Sequence, residues 1–111
     1  MSKANRDKGH RYERLLAEEF RELGFDKCKT SRYASRMLDD AKVDLYGTEP
    51  YNVQAKAYDS NQPNFRNILD EMPKDDNYNV VFHKVKRKED IVVMKKSDFY
   101  ALIKHLHKAR K

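Results

Sequence analysis

The chain of 111 residues has no tryptophan, one cysteine, three glycines and three prolines. A lone cysteine, Cys28, excludes an internal disulfide and sets a reducing, cytoplasmic location as the expectation. No stretch approaches the run of about eighteen apolar residues that a membrane span requires. The opening MSKANRDKGHRYE is too polar for the apolar core of a signal peptide, so no membrane partner is expected. No internal repeat or low-complexity segment interrupts the chain. Its length suits one domain, 1–111, with a modest core and no room for a second.

Charge is what the chain has in quantity. Hydrophobic residues make up 39% and charged residues 38%, with a net charge of +6. The excess is uneven. Residues 84–111 carry ten lysines and arginines against three acids, whereas residues 1–83 carry fourteen against fifteen. A basic C-terminal third beside a near-neutral remainder suits a polyanion such as nucleic acid. The plainer reading is a lysine-rich end that aids solubility.

The most informative stretch is Val43 to Tyr58, VDLYGTEPYNVQAKAY. It reads as two short strands, Val43–Tyr46 and Asn52–Tyr58, joined by the turn residues Gly47-Thr48-Glu49-Pro50. Side chains alternate along a strand. Val53, Ala55 and Ala57 then share one face, and Gln54, Lys56 and Tyr58 the other. On the first strand Asp44 opposes Val43 and Leu45. Aligning the apolar faces brings Asp44, Gln54 and Lys56 to one side of the sheet.

The flanking segments supply the scaffold. Tyr12, Leu15, Leu16, Phe20 and Leu23 recur at helical spacing over Asp7 to Leu23, with Gly24 as the C-terminal cap. Glu13 lies on the flank of that stripe, although an acid early in a helix also serves the helix dipole. Phe25 to Tyr33 reads as an entry loop and a strand holding Cys28. Ala34 to Lys42, with Ser35, Arg36, Asp39 and Asp40, shows no period and reads as a mobile loop. After a polar link, Asp59 to Gln62, Pro63 fits the first turn of a short helix faced by Phe65, Ile68, Leu69 and Met72 and stopped by Pro73. Asn79–Lys86 and Ile91–Lys96 flank the polar turn Arg87-Lys88-Glu89-Asp90 and form a hairpin with a basic tip. Ser97 can cap a last helix faced by Phe99, Leu102, Ile103 and Leu106. Tyr12 and Tyr100 are expected to pack in the core. The order α-β-β-β-α-β-β-α gives an α/β fold, a mixed sheet of about five strands flanked by helices.

A carboxylate, an amide oxygen and an ammonium in one cluster suit phosphodiester hydrolysis with a bound divalent cation. Mg²⁺ prefers oxygen ligands and can activate water, neutralise charge at phosphorus and help the leaving oxygen. Asp44, Gln54 and the carbonyl of Ala55 offer oxygens, and Glu13 could complete the set from the first helix. Lys56 could orient the water or stabilise the phosphorane. The bare pattern is weak, because any half-exposed strand alternates apolar and polar residues. Two histidines on the last helix, His105 and His107, point about 200° apart and cannot share a metal. On its strand, His83 has no partner nearby in sequence.

The residues Lys8-Gly9, Glu13, Leu23-Gly24-Phe25, Val43-Asp44-Leu45, Val53-Gln54-Ala55-Lys56 and the run VVFHKVKRKEDIVVMKKSDFYALI from 80 to 103 resemble the PD-(D/E)xK nuclease superfamily. Within it, the chain is most similar to the small archaeal-type Holliday junction resolvases and their phage-encoded relatives. The resemblance implies a restriction-endonuclease-like fold and a Mg²⁺-dependent endonuclease, with Mn²⁺ able to substitute. The expected substrate is branched DNA, cut by a homodimer in the cytoplasm of a bacterial or phage-infected cell. It places Glu13, Asp44, Gln54 and Lys56 on the catalytic positions, with Asp44, Gln54, Glu13 and Ala55 around the metal. Lys8, His10, Arg36, Lys84, Lys86, Arg87 and Lys88 become DNA contacts. Either Ser31 or Ser35 matches a loop serine near the scissile phosphate. Two departures stand out: Gln54 replaces the usual acid two places before the lysine, and Val43 replaces a proline before Asp44. Glutamine does occur at that place in methyl-directed restriction nucleases. The alternative is a DNA-binding protein on the same fold that has lost catalysis.

Overall fold

The computed structural model describes residues 3–58 and 63–110. Among these the order is α1 (Lys3–Glu22), β1 (Lys29–Thr30), α2 (Ser31–Ala34), α3 (Arg36–Asp40), β2 (Leu45–Tyr46), β3 (Tyr51–Tyr58), α4 (Phe65–Glu71), β4 (Tyr78–Val85), β5 (Ile91–Val93) and α5 (Lys96–Ala109). The α/β class expected from periodicity is present. The strands form two sheets, β1-β2 and β3-β4-β5, in place of one five-stranded sheet. β3 and β4 run parallel, with Lys56 beside His83 and Gln54 beside Val81. A parallel pair needs a crossover, and α4 lies within it. The polar link 59–62 lies outside the described residues. β5 returns antiparallel to β4.

Alternation along β3 and β4 builds two cores. Val53, Ala55 and Ala57 join Val80 and Phe82 on the face covered by Tyr12, Leu16, Ala17 and Phe20 of α1. Val81 faces the other way and packs with Leu69 and Met72. The apolar stripe of α1 is rotated from the sequence expectation: Ala17 is buried, whereas Leu15 and Leu23 are 41% and 74% exposed. The small Ala17 side chain lets the helix sit close to the sheet, a choice that size decides and hydrophobicity does not reveal. As expected, Gly24 ends α1, with φ of +110°. The Phe25 N–H donates to Phe20 O at 3.0 Å and the Gly24 N–H to Arg21 O at 3.1 Å. That pair of bonds is a Schellman cap.

Four other expectations are corrected. Segment 34–42, expected as a loop, holds α3, whose first turn Ser35 caps by accepting from the Leu38 N–H at 3.3 Å. A helix of five residues spans little more than one turn and cannot repeat an apolar spacing. Asn64, and not Pro63, starts α4, its side chain accepting from the Asn67 N–H at 3.1 Å. Lys95 stands at the N-cap of α5 in place of Ser97. The α5 stripe is not buried, since Phe99, Ile103 and Leu106 are about half exposed, as is Tyr100. α5 packs lightly along β4, so only one edge of its stripe is covered.

Gly47 makes the turn between β2 and β3 at φ of +83°, where an added Cβ would lie 3.0 Å from the Lys27 carbonyl oxygen. Backbone oxygen cannot yield as a flexible side chain can. Gly47→Ala is therefore expected to cost about 1–3 kcal/mol, read as a lower urea midpoint at unchanged slope. An unchanged midpoint would mean that the turn relaxes freely.

Candidate functional site

The site is built where β2 meets β3. The Asp44 N–H donates to Val53 O at 2.7 Å. Its carboxylate Oδ2 then accepts from the Ala55 N–H, also at 2.7 Å. β2 turns away here, because the Val43 N–H is drawn to Leu38 O at 2.9 Å. The Asp44 side chain thus takes the place of a main-chain acceptor and joins the two sheets.

Burial of Val43 and Leu45, both 1% exposed, fixes the register that turns Asp44 toward β3. The Asp44 carboxyl is raised from 3.8 to about 6, mainly by burial; the Ala55 N–H pulls it down, Glu13 pushes it up, Lys56 pulls it down and Asp39 pushes it up. Glu13, Lys56 and Asp39 are therefore the charged groups that surround it. Gln54, beside Ala55 on β3, is 7% exposed. Its Oε1 is buried with no hydrogen-bond partner in the described residues. Such an oxygen costs about 1–3 kcal/mol if it stays unpaired.

Glu13 carries a cost to its availability, because Arg32 Nη2 bonds its Oε1 at 2.8 Å. Sequence reading missed Arg32, which reaches Glu13 only because α2 folds back toward α1. No three His, Cys, Asp or Glu side chains among the described residues are grouped to hold a metal by themselves. Asp44 lies against the Ala55 main chain, and Gln54 turns its amide to the β3 face that Val81 shares.

The two candidate serines have different places. Ser31 is fully buried, its Oγ unpartnered among the described residues. Its N–H donates to Asp44 O at 2.8 Å, so it braces the Asp44 backbone. The hydroxyl of Ser35 is engaged in capping α3, and Arg36 pairs with Asp40 at 3.8 Å on the surface. His83, set aside on sequence grounds, lies beside Lys56 across the parallel pair. It is 5% exposed, with Phe65 edge-on at 5.1 Å. Burial pushes its imidazole below the usual range, and Asp90 opposes this. Lys8 and His10 lie half-buried on α1, and Lys8 shares the lining of one surface hollow with Lys84 and Lys86, while Arg87 and Lys88 are exposed in the β4-β5 turn. Lys84 pairs with Asp90 at 3.6 Å.

Two surface hollows flank α1. One, of about 470 Å³, lies between α1 and the ends of β3 and β4, with Tyr12, Leu15, Ala57 and Tyr58 among its lining. The other, of about 770 Å³, is lined by Arg11, Arg14, Arg21 and Lys29. The Lys29 ammonium stands 5.7 Å from the ring centre of Tyr33. Arg11 and Arg14 were not singled out from sequence, yet their spacing of three puts both on the face of α1 opposite its core stripe.

Compared with protein-family models, curated proteins and solved structures, the chain matches none of them.

Proposed function

We propose that the chain is a metal-dependent endonuclease of the PD-(D/E)xK kind that hydrolyses phosphodiester bonds in branched DNA. The observation that carries this reading is the docking of the Asp44 carboxylate on the Gln54-Ala55-Lys56 strand through the Ala55 N–H. It sets Asp44 against the strand that carries the other motif residues, with the charges of Glu13 and Lys56 acting on it. A buried carboxyl held up to about 6, with two further acids near it, is a group that a cation would stabilise. The unpartnered Gln54 Oε1 fits the same role.

Asp44, Gln54, the Ala55 carbonyl and Glu13 would hold Mg²⁺ or Mn²⁺. When bound, the cation supplies Lewis acidity toward the phosphoryl oxygens and lowers the pKa of water. The chain's own residues do the rest. Lys56 offers a positive point charge to the developing phosphorane. Arg32 holds Glu13 until substrate and cation compete for it. The exposed cations of the β4-β5 turn meet phosphates without reading bases. A four-way junction is two-fold symmetric and needs two cuts, so the active species is a homodimer. The test is a labelled four-way junction with Mg²⁺ or Mn²⁺ and a linear duplex as control. Paired symmetric nicks in the junction are expected, and no cleavage of any branched substrate in either metal would overturn the reading.

The Glu13–Arg32 ion pair and the uncharged Gln54 favour a second reading, a DNA-binding protein on the same scaffold without catalysis. It is the outcome if junctions are bound but never cut and Gln54→Glu does not start cleavage.

A further inference from the structure

We infer that the hollow between α1 and the ends of β3 and β4 is a binding site for an unpaired nucleotide of a DNA strand. Its lining has two chemistries. Leu15, Ala57, Tyr12 and Tyr58 give an apolar, partly aromatic floor, and Lys8, Arg11, Lys84 and Lys86 bring cations to it. Asp90 stands at its edge, paired with Lys84 at 3.6 Å and close to Tyr12, and leaves the other cations in excess. Its volume of about 470 Å³ lies within the range of ordinary ligand pockets.

Cations alone would serve the backbone of a continuous duplex. An apolar floor with an exposed tyrosine has no use for a duplex, whose bases are stacked and hidden. An unpaired base presents a π-face that stacks on an aromatic ring whatever its sequence. Leu15 is 41% exposed, and Tyr58 is 38% exposed with its ring centre 5.9 Å from that of His83, so part of each surface is open to a base. A phosphate on either side would meet Arg11 or Lys86. The Tyr12 hydroxyl is buried at this place with the Asp90 carboxylate close to it.

The hollow also adjoins the candidate site in the chain. Tyr12 precedes Glu13, and Ala57 and Tyr58 follow Lys56. A strand whose phosphate lies at Asp44 and Lys56 can place a neighbouring nucleotide here only where pairing is already broken, as at a junction, a flap or a frayed end. This inference rests on the nuclease reading for its link to cleavage, but binding in the hollow needs no metal and is tested without it.

The experiment is fluorescence anisotropy of the full chain in EDTA with a labelled ten-thymidine strand, a duplex of that length and thymidine monophosphate as competitor. The single strand is expected to bind more tightly than the duplex. Tyr58→Ala should weaken it by about tenfold or more, while Tyr58→Phe keeps it. Arg11→Ala should lower the salt dependence by about one unit of slope. Tyr58 is partly exposed, so these variants should keep the parent circular dichroism and melting curve. Equal binding of strand and duplex, with no effect of Tyr58→Ala, would overturn the inference and leave a purely electrostatic surface. Competition by the free mononucleotide at the strand's own affinity would also overturn it, in favour of a small-molecule site. Failure of junction cleavage with intact strand binding would instead fault the nuclease reading alone.

Discussion

Asp44→Asn is expected to abolish cleavage and at the same time to stabilise the protein at neutral pH. The first effect follows from charge. An amide cannot neutralise a divalent cation, and a cation's stabilisation of phosphoryl charge is worth several kcal/mol, so the rate should fall about 10³-fold or more. The second follows from linkage. The folded-state pKa of Asp44 lies above its unfolded value, from 3.8 up to about 6. The folded state therefore holds the proton more tightly. Stability from this group is fully present below 3.8 and is lost as pH rises through about 6. A rise of that size corresponds to about 2–3 kcal/mol at neutral pH. Asparagine keeps an oxygen for the Ala55 N–H and carries no charge to desolvate. Urea melts should then place the variant above wild type at pH 7.5, with the gap closing toward pH 4. A variant less stable than wild type at pH 7.5 would show that the carboxylate is held by partners that outweigh its burial. Proton and cation compete for this carboxyl, so cleavage by the wild type at limiting Mg²⁺ should fall on acidification and recover as Mg²⁺ is raised.

Leu16→Ala is expected to remove about 2–5 kcal/mol, enough to unfold a domain near the lower end of the usual 5–15 kcal/mol. Leu16 is 1% exposed at the centre of the α1 face, packed with Tyr12, Phe20 and Val53. Its loss leaves a cavity between α1 and β3, two long elements that cannot close on it without breaking the parallel β3-β4 register. The neighbouring Leu15→Ala, at a residue 41% exposed, should cost under about 1 kcal/mol. Urea midpoints of the two variants measure the contrast directly. Similar losses at both positions would mean that α1 is rotated from its described orientation. α1 also presents Glu13 to Asp44, so partial loosening by Leu16→Ala should depress activity before it unfolds the chain.

The length of a segment governed how much of it could be read. α1, β3, β4 and α5 span several periods, and their apolar patterns stood out. β1, α2 and α3 hold two, four and five residues and repeat nothing. Their places are set by bonds across the fold, such as Ser31 N–H to Asp44 O and Val43 N–H to Leu38 O. The same holds for the site. The alternation of Gln54, Ala55 and Lys56 is a property of the strand, but the partner of Asp44 is not. Arg32 beside Glu13 and His83 beside Lys56 lie far apart along the chain and meet only in three dimensions.

By itself the amino-acid sequence determined the class of fold, the long elements, the Gly24 and Gly47 turns, and the motif residues, because these depend on local geometry and on periodicity. The tertiary structure alone decided that Asp44 bridges two small sheets, that Gln54 Oε1 and Ser31 Oγ are buried, and that the α5 stripe is left half-exposed. Each of these depends on what packs from elsewhere in the chain, and burial, unlike period, is not a property of a residue and its neighbours.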